Sequence, residues 1–470
     1  MAPLTSEQVC QYLNAGQPVS PQGGPPAGRV EIAAVDLSRR TFDKPVYFSG
    51  ARFRDHATFR GATFRQGATF FDCVFDGPAD FSWCHIFGKA YFWRSRFDGP
   101  AAFSNTAIEA VEVPGSQRLS PGLADFSWAF FSGSAHFGRT RFGGKTWFWR
   151  TVFCADVTFE EANFQAGVII GGRDHEVSVS AADFSDGKLL DDLLRKGLMT
   201  PDPQTSPTLY WHFKDVADAE KLRRLLREQG FDPGAVDEIV EVWQGRAKPM
   251  FAGPGVAPVP FRGAVFGKPE ESSFGGVGLE RCLFVGCDVS KLDFADVRWD
   301  RRPTLILLGG RRAVRDEQYA KTAGDYSLVG KLYRQLRKNY EGKGAYAEAG
   351  DFHYGEMEMR RLAQPAVLRR VSLTALYKYL SGYGEQHGLA LFWLLFAVFV
   401  LFPGLYLLVG AFSEPAGAVL HSLEISTFLK PESAASLPMA GRFVEGCERI
   451  VIPAQAGLLF LAIKRHYARQ

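Results

Sequence analysis

The side chains best placed to do chemistry lie in one short apolar run near the C-terminus, VLHSLEISTFL at residues 419–429. The run contains one carboxylate, Glu424, and three hydroxyl side chains, those of Ser422, Ser426 and Thr427. An ionisable group at membrane depth is costly and marks an ion or substrate pathway by default. We therefore predict a functional role for Glu424. The alternative is that Glu424 faces an interfacial water layer.

No other kind of reactive site is indicated. The sequence has no nucleophile elbow, phosphate-binding loop or metal-ligand cysteine spacing. We therefore expect no enzyme, with no catalytic residue, no cofactor and no metal site. His353 and Glu356 share a helical face near Glu358, but a metal site needs further ligands. Seven cysteines and the lack of a signal-like N-terminus predict a reduced, cytosolic setting for most of the chain.

Two apolar segments frame the candidate run and are predicted to span a membrane. The first, residues 388–413, has 26 residues without a charge, and about 20 suffice to cross a bilayer core. Pro403 predicts a kink within it. The second, residues 442–463, begins at Arg442 and includes three further charged residues: Glu445, Glu448 and Arg449. The first and last of these are four residues apart, in the order that favours an ion pair.

Basic residues indicate the orientation of the two spans. They precede the first span and follow the second: Arg360, Arg361, Arg369, Arg370 and Lys378, then Lys464, Arg465 and Arg469. Cytoplasmic flanks of spans carry an excess of Lys and Arg. We therefore predict a multi-pass protein of the cell inner membrane, with both termini in the cytoplasm.

The order of span, short helix, loop and span resembles the pore-loop module of bacterial two-span potassium channels. The run from Ser422 to Leu429 is similar to the pore-helix lead-in of these channels. The resemblance implies that Ser422, Glu424, Ser426 and Thr427 are pore-loop candidates and that a selectivity filter follows Leu429 directly. A filter needs a ring of backbone carbonyls, and the residues there, Lys430 to Ser433, contain no glycine-rich ladder. Gly382-Tyr383-Gly384 reads like a filter but precedes the first span. We predict it as a turn, and the module as channel-like without a standard filter.

Phenylalanine is the compositional outlier, with 40 residues. Eighteen of them form a ladder from Phe48 to Phe164 whose steps alternate between five and six residues. A second run from Leu279 to Trp299 has steps of five. A small or compact residue precedes most rungs by two positions. One large and one small inward residue in a short repeat predicts a stacked β-solenoid.

This A-x-F spacing resembles the pentapeptide-repeat family, whose fold is a right-handed, four-sided β-helix. The resemblance implies that the alternating steps place an extra residue at alternate corners. Four cysteines occupy the small inward position and are predicted to be inert core: Cys73, Cys84, Cys282 and Cys287. The whole chain resembles bacterial membrane proteins that combine such repeats with a helical neck and a two-span module.

The predicted fold class is mainly β, a pentapeptide-repeat β-helix with a helical insertion, a helical neck and a C-terminal two-helix transmembrane module. Apolar residues at helical spacing predict the insertion and the neck, the latter as two helices joined by a glycine-bearing turn. The predicted segments are an N-terminal cap at 1–45, the β-helix at 46–167, the helical insertion at 168–260, a second repeat run at 261–303, the neck at 304–380 and the transmembrane pore-loop-like module at 381–470.

These segments predict a membrane-anchored cytoplasmic β-helix scaffold or sensor with a degenerate channel-like module. The alternative is a gated ion channel of non-standard selectivity. Some soluble pentapeptide-repeat proteins mimic DNA and inhibit topoisomerases, which requires an acidic face. Residues 46–166 hold 12 Lys or Arg and 11 Asp or Glu, which disfavours mimicry. The expected partners are the membrane and further copies of the chain; a cytoplasmic protein partner is left open, and no nucleic acid is expected.

Overall fold

The computed structural model describes residues 3–19, 30–112, 119–172, 176–179, 184, 187–201, 209–212, 219–246, 249–254, 257–303, 310–427 and 437–467. The chain divides into two compact units. The first is Met1–Asp300 with Val314–Asp316, and the second is Arg301–Ala313 with Glu317–Gln470. The predicted fold class is confirmed as stacks of parallel strands in a β-helix, then a helical region and two C-terminal apolar helices.

The first unit is a solenoid whose short strands stack into four parallel sheets. Sheet A comprises Val30–Ile32, Ala51–Phe53, Val74–Phe75, Arg96–Phe97, Phe130–Phe131 and Val152–Phe153. Sheet B comprises Val35–Asp36, Ala57–Thr58, Ala79–Asp80, Ala101–Ala102, Ala135–His136 and Val157–Thr158. Sheet C comprises Thr41–Phe42, Thr63–Phe64, His85–Phe87, Ala107–Glu109, Arg141–Phe142, Asn163–Phe164 and Val265–Phe266. Sheet D comprises Val46–Ser49, Ala68–Phe71, Ala90–Tyr91, Ala124–Asp125, Thr146–Trp149, Val168–Gly171, Ser273–Gly275 and Asp293–Ala295.

One turn of the solenoid is 22 residues long, because Val46 pairs with Ala68 and Ala68 pairs with Ala90 in sheet D. Each turn therefore contains two of the five-plus-six steps of the phenylalanine ladder. The next partner in this sheet is Ala124, so that turn holds an extra segment. Its ends form an antiparallel pair of strands, Val111–Glu112 and Leu119–Ser120.

The solenoid begins inside the segment predicted as an N-terminal cap. A helix, α1 (Ser6–Ala15), comes first and is capped at Thr5. The strands from residue 30 onward already belong to sheets A, B and C. At the first two rung positions the inward residues are Ile32 and Leu37 rather than phenylalanine, and Phe42 is the first phenylalanine of the stack. The phenylalanine ladder therefore did not reveal these first strands.

The two predicted repeat runs form a single solenoid. Asn163–Phe164 pairs in parallel with Val265–Phe266, and Ile170 pairs with Phe274. The Phe159 and Phe261 rings stack with centroids 4.8 Å apart, although about a hundred residues lie between them. The last coils also contain a parallel pair, Val259–Pro260 with Cys282–Leu283, and a short 3-10 helix at Pro269–Glu271.

The core of the solenoid consists of stacked phenylalanine rings. Phe103 is typical: its ring stacks on Phe81 and on Phe137, each with centroids 5.0 Å apart. It also meets the edges of Phe92 and Phe126 at nearly right angles. Such aromatic pairs add about 0.5–1.5 kcal/mol each beyond the area that they bury. Ring stacking therefore holds successive coils in register.

The alternation of five- and six-residue steps has its cause in the corners. Within each five-residue step of the ladder between Phe48 and Ile108, the second residue after the rung is left-handed: Gly50, Gly61, Asp72, Trp83, Arg94 and Asn105. The six-residue steps turn differently and bring backbones close together. A Cβ on Gly99 would lie 2.4 Å from the backbone of Gly77 in the coil before it. The two kinds of corner therefore differ in backbone conformation as well as in length.

The small inward position accepts hydroxyl and thiol side chains because each finds a carbonyl. Thr140 Oγ1 donates to the Phe103 carbonyl at 2.7 Å, and Cys84 Sγ approaches the Phe59 carbonyl at 3.0 Å. The four cysteines predicted in this position are buried, as expected. Burial raises the pKa of the Cys84 thiol to about 12, so the reactive thiolate is scarce at neutral pH.

The insertion at 168–260 contains the predicted helices and also a small sheet. The helices are α2 (Gly187–Arg195), α3 (Ala219–Glu228) and α4 (Pro233–Arg246). Leucines of α2 and α3 share a buried core with Ile239 and Trp243 of α4. The sheet is antiparallel, in the order Glu176–Val179, Leu209–His212, Met199–Pro201. Strands of three or four residues are too short to produce a clear alternating pattern in a sequence.

A buried carboxylate supports the last coils of the solenoid. Asp316 accepts hydrogen bonds from the backbone N–H groups of Phe284 at 3.0 Å and Val285 at 2.7 Å. Burial raises the pKa of Asp316 to about 6, even though both N–H groups favour its charged form. The carboxylate gives two backbone donors the partner that a further coil would otherwise supply.

The second unit begins at Arg301, inside the first of two paired strands, Asp300–Pro303 and Gly310–Ala313. Its neck helices are α5 (Asp316–Ala323), α6 (Tyr326–Gly342), α7 (Tyr346–Leu362), α8 (Leu368–Val371) and α9 (Leu373–Ser381). The predicted hairpin of two helices corresponds to α6 and α7, with Gly344 left-handed between them. The segment predicted as the membrane module, which keeps that name below, contains α10 (His387–Phe396), α11 (Phe402–Leu408), α12 (Pro415–Ser426) and α13 (Met439–Tyr467).

Two helical segments are long and apolar enough to cross a membrane, at His387–Leu408 and Met439–Arg465. The first includes α10 and α11, joined by a π-helical turn at Ala397–Leu401. Pro403 lies just after this turn. Proline has no N–H and its ring meets the carbonyl four residues earlier, so a widened turn accommodates it. The irregularity predicted at Pro403 therefore takes the form of a π-bulge on its N-terminal side.

Candidate functional site

The four predicted pore-loop residues lie at the C-terminal end of α12, and Ser422 is the one that hydrogen-bonds to another helix within the described residues. Ser426 Oγ donates to the Ser422 carbonyl at 2.7 Å, and Thr427 Oγ1 donates to the Leu423 carbonyl at 2.8 Å. Both hydroxyls thus bond their own helix. Glu424 is partly exposed. The segment where a filter would stand, residues 430–433, lies outside the described residues, so the pore-loop assignment stays a prediction.

Ser422 belongs to a buried polar cluster that joins all three parts of the membrane module. Its hydroxyl donates to the carboxyl group of Glu448 on α13. Tyr406 of α11 donates its hydroxyl to the other Glu448 oxygen at 2.7 Å. Glu448, Ser422 and Tyr406 are all fully buried. Glu448 of α13 therefore connects Tyr406 of the first span with Ser422 of the short helix α12.

The surroundings of Glu448 are apolar and aromatic. Phe402, Ala418, Val444 and Ile452 pack in the same buried cluster as Tyr406. The ring of His421 stands perpendicular to the Tyr406 ring, with centroids 4.9 Å apart. A carboxyl group in such a place needs hydrogen-bond partners, and the two hydroxyls supply them.

Sequence reasoning missed Glu448 as a site residue. In the sequence it reads only as one of three charges that the second span must include, together with Glu445 and Arg449. The predicted ion pair of those two is present, with Arg449 Nη2 2.8 Å from Glu445 Oε1. The available signal was the spacing of Val444, Glu448 and Ile452, four residues apart along one helical stripe. That stripe is the buried side of α13.

A second polar cluster lies where the neck meets the first span. Helix α9 ends at Ser381, and Gly382, Tyr383 and Gly384 follow with φ angles of 55°, 60° and 74°. Three consecutive left-handed residues form a tight turn before α10, which confirms the turn predicted for this glycine-tyrosine-glycine stretch. A left-handed tyrosine is uncommon, and Tyr383 is fully buried. Its surroundings therefore fix its conformation.

Glu358 of α7 is the centre of this second cluster. It accepts hydrogen bonds from the Tyr383 hydroxyl at 2.8 Å, from Lys378 Nζ at 2.9 Å and from Arg361 Nη2 at 2.7 Å. Burial alone would raise the pKa of Glu358. Arg361 and Lys378 outweigh it and lower the pKa to about 2. Glu358 is thus ionised throughout the physiological range and joins α7, α9 and the turn.

The end of α13 is attached to the same turn. Arg465 Nη1 donates to the Tyr383 carbonyl at 3.1 Å and lies 3.2 Å from a Glu385 oxygen. Nearer the middle of α13, Gln455 Nε2 donates to the Ala390 carbonyl of α10 at 2.9 Å. Both spans are therefore connected to the neck through side chains around Tyr383.

The acidic residues considered for a metal site are engaged with cations instead. Glu356 pairs with Arg334 at 2.8 Å and with Arg337 at 3.3 Å. His353 Nδ1 lies 3.1 Å from Arg337 Nη1. Within the described ranges, no group of three or more His, Cys, Asp or Glu side chains is arranged to hold a metal ion.

Comparison with known proteins assigns one part of the chain. Residues 33–74 match the family model described as "Pentapeptide repeats (9 copies)". These residues form the first coils of the solenoid, where all four sheets are established. No curated protein and no solved structure matches the chain. The repeat resemblance is thus supported for the solenoid, and the helical unit has no counterpart in these comparisons.

Proposed function

We propose that this protein is a membrane-anchored scaffold, in which the solenoid is held at the cytoplasmic face by the two spans and the neck. One observation carries the proposal, namely how little of the two apolar helices the fold buries. In the most apolar 18-residue stretch of each helix, only 28% is buried in the first helix and 22% in the second. The core helix of a soluble protein would be mostly buried. Lipid or further subunits are the surroundings that such helices require.

Many of the side chains left exposed on these helices are large and hydrophobic, and Arg442 and Arg449 of α13 are exposed as well. The hydrophobic ones include Leu391, Phe392, Leu395, Phe399 and Val400 on the first and Phe443, Ile450, Val451 and Phe460 on the second. The buried sides instead carry Tyr406, Glu448 and Gln455. A helix pair in a bilayer is expected to carry polar side chains between the helices and apolar side chains on the lipid-facing surface.

The neck supports a scaffold that responds to its surroundings. Glu358, Tyr383 and Arg465 connect α7, the turn and the end of α13 by ion pairs and hydrogen bonds. A displacement of the neck would therefore be transmitted to both spans instead of being absorbed by a flexible linker. This coupling favours a scaffold that also acts as a sensor. Homo-oligomers and a cytoplasmic protein partner are further expectations.

Membrane extraction tests the anchor. We expect the full-length chain to stay in the membrane pellet after alkaline carbonate treatment. Arginine at both Leu395 and Phe399 should release a large fraction, because each charge at the centre of a span costs about 2.5–3.5 kcal/mol. The matched variant with alanine at the same two positions should stay in the pellet. Release of the unmodified chain by carbonate would rule out the anchor.

Ion conduction is the second candidate, favoured by the position of α12. This helix packs against α11 and α13 and carries Glu424 near its C-terminal end. A short helix between two spans is the layout of a pore-loop module. We expect any current of the purified chain in a planar bilayer to change in amplitude or selectivity with Glu424→Gln. The exposed Glu414→Gln should leave it unaltered. If neither the unmodified chain nor either variant passes current at any voltage or pH, conduction is excluded.

A further inference from the structure

An open cleft of about 650 Å³ lies in the segment that joins the neck to the first span. It is lined by three guanidinium groups and four hydrophobic or aromatic side chains: Arg361, Arg369, Arg370, Ala366, Val367, Val371 and Tyr379. All of them belong to residues 361–379, at the end of α7 and along α8 and α9. The cleft therefore combines positive charge with apolar surface directly before the chain reaches the first span.

The charge of this segment is not balanced by carboxylates. The sequence between Glu358 and Glu385 contains five Lys or Arg and no Asp or Glu. Glu358 is occupied by Arg361 and Lys378. Across residues 310–427, all described, no carboxylate pairs with the other three cations, Arg360, Arg369 and Arg370. An anion from outside the chain would complete this site.

The apolar side chains of the segment are unusually exposed. Val367 is 73% exposed, Val371 75% and Leu373 85%. They flank Arg369 and Arg370 on both sides in the sequence, from the residue before α8 to the start of α9. Hydrophobic and basic side chains interspersed on one surface are typical of segments that lie in the interface of a bilayer. A soluble anion would neutralise the arginines but would leave these side chains in water.

The arginines are held in place by backbone contacts. Arg361 Nη1 donates to the Arg369 carbonyl at 2.6 Å, and Arg369 Nε donates to the Gln364 carbonyl at 2.7 Å. The Arg369 guanidinium lies 5.7 Å from the centre of the Tyr326 ring. The cleft is thus preorganised, which lowers the entropic cost of binding.

We propose that this cleft binds the phosphate group of an anionic phospholipid, with acyl chains against Val367, Val371 and Leu373. The inference rests on the proposed membrane anchor and names a lipid that the anchored protein selects. Guanidinium groups bind phosphate oxygens through paired, charge-assisted hydrogen bonds. The occupant is a lipid because only a lipid supplies both an anion and a hydrocarbon chain.

Native mass spectrometry of the full-length chain in neutral detergent tests the proposal. The protein is titrated with phosphatidylglycerol or with phosphatidylcholine of the same acyl chains. We expect phosphatidylglycerol to bind more tightly, and the double variant R369A/R370A to weaken this binding by roughly tenfold. The matched variant K331A/K338A removes two exposed cations from α6 and should keep the preference. R369K/R370K keeps both charges but loses the paired donors, so it should retain only part of the binding.

Three results would overturn the proposal: equal binding of the two lipids, no effect of R369A/R370A, or displacement of the lipid by millimolar inorganic phosphate. The last would identify a site for free phosphate. The carbonate extraction described above separates these results from failure of the anchor. A chain that resists carbonate but shows no preference for phosphatidylglycerol would refute the lipid site and leave the anchor standing.

Discussion

Replacing Phe103 by alanine is expected to lower the free energy of unfolding of the solenoid by about 3–5 kcal/mol. The Phe103 ring is fully buried between Phe81 and Phe137 and meets two further rings at their edges. A stacked solenoid has few ways to fill the resulting cavity, because each coil is fixed in register by its neighbours. The loss should therefore lie near the upper part of the range for such substitutions.

Urea unfolding of the full-length chain in detergent, with hydrogen exchange of peptides from 90–110, provides the measurement. Faster exchange is expected in the coils next to residue 103. The control is Trp83→Ala, which removes an aromatic side chain that is 54% exposed at a corner. Its effect should stay within about 0.5 kcal/mol. A loss below about 1 kcal/mol for Phe103→Ala would contradict a core built on ring stacking.

Replacing Glu448 by leucine is expected to destabilise the membrane module by about 2–4 kcal/mol. Leucine is more apolar than glutamate, so a simple hydrophobicity argument predicts the opposite sign. The structure decides against that argument, because Tyr406 and Ser422 both donate to this carboxyl group. Without it, two buried hydroxyls lose their acceptor, at about 1–3 kcal/mol each in proteins generally and somewhat less in membranes.

Glu448→Gln is the matched control, since it keeps the size and one acceptor oxygen and should cost about half as much. Thermal unfolding in detergent gives the stability, and hydrogen exchange of peptides from 415–427 reports the attachment of α12. We expect α12 to lose protection in the leucine variant. Unchanged exchange together with a higher melting temperature would mean that the cluster does not hold the module together.

Some features could be predicted because they repeat. The Phe ladder needs no long-range information, since every coil buries the same kind of side chain against the next. The start of the solenoid at residue 30 escaped because Ile32 and Leu37 replace the phenylalanines there. The small sheet in the insertion escaped because its strands are too short for a pattern.

The two polar clusters differ from the ladder, because each is assembled from residues far apart in the sequence. Glu448 meets Ser422 and Tyr406 across 26 and 42 positions. Tyr383 meets Glu358 across 25 and Arg465 across 82. Nothing in the local sequence around any one of these residues specifies its partners. The spacing along α13 indicated which side of the helix is buried, but not what it contacts.

The sequence by itself determined the repeat, the two apolar helices, the helical neck and the turn at Tyr383. Periodicity and the length of uncharged runs are local properties, and the hydrophobic effect acts on them in any fold. Only the tertiary structure decided which charged residue lies inside the membrane module. Glu424, the residue that the sequence favoured, is partly exposed, and Glu448 is enclosed. The physical reason is that burial of a polar group depends on partners supplied by other elements, and those are set by packing.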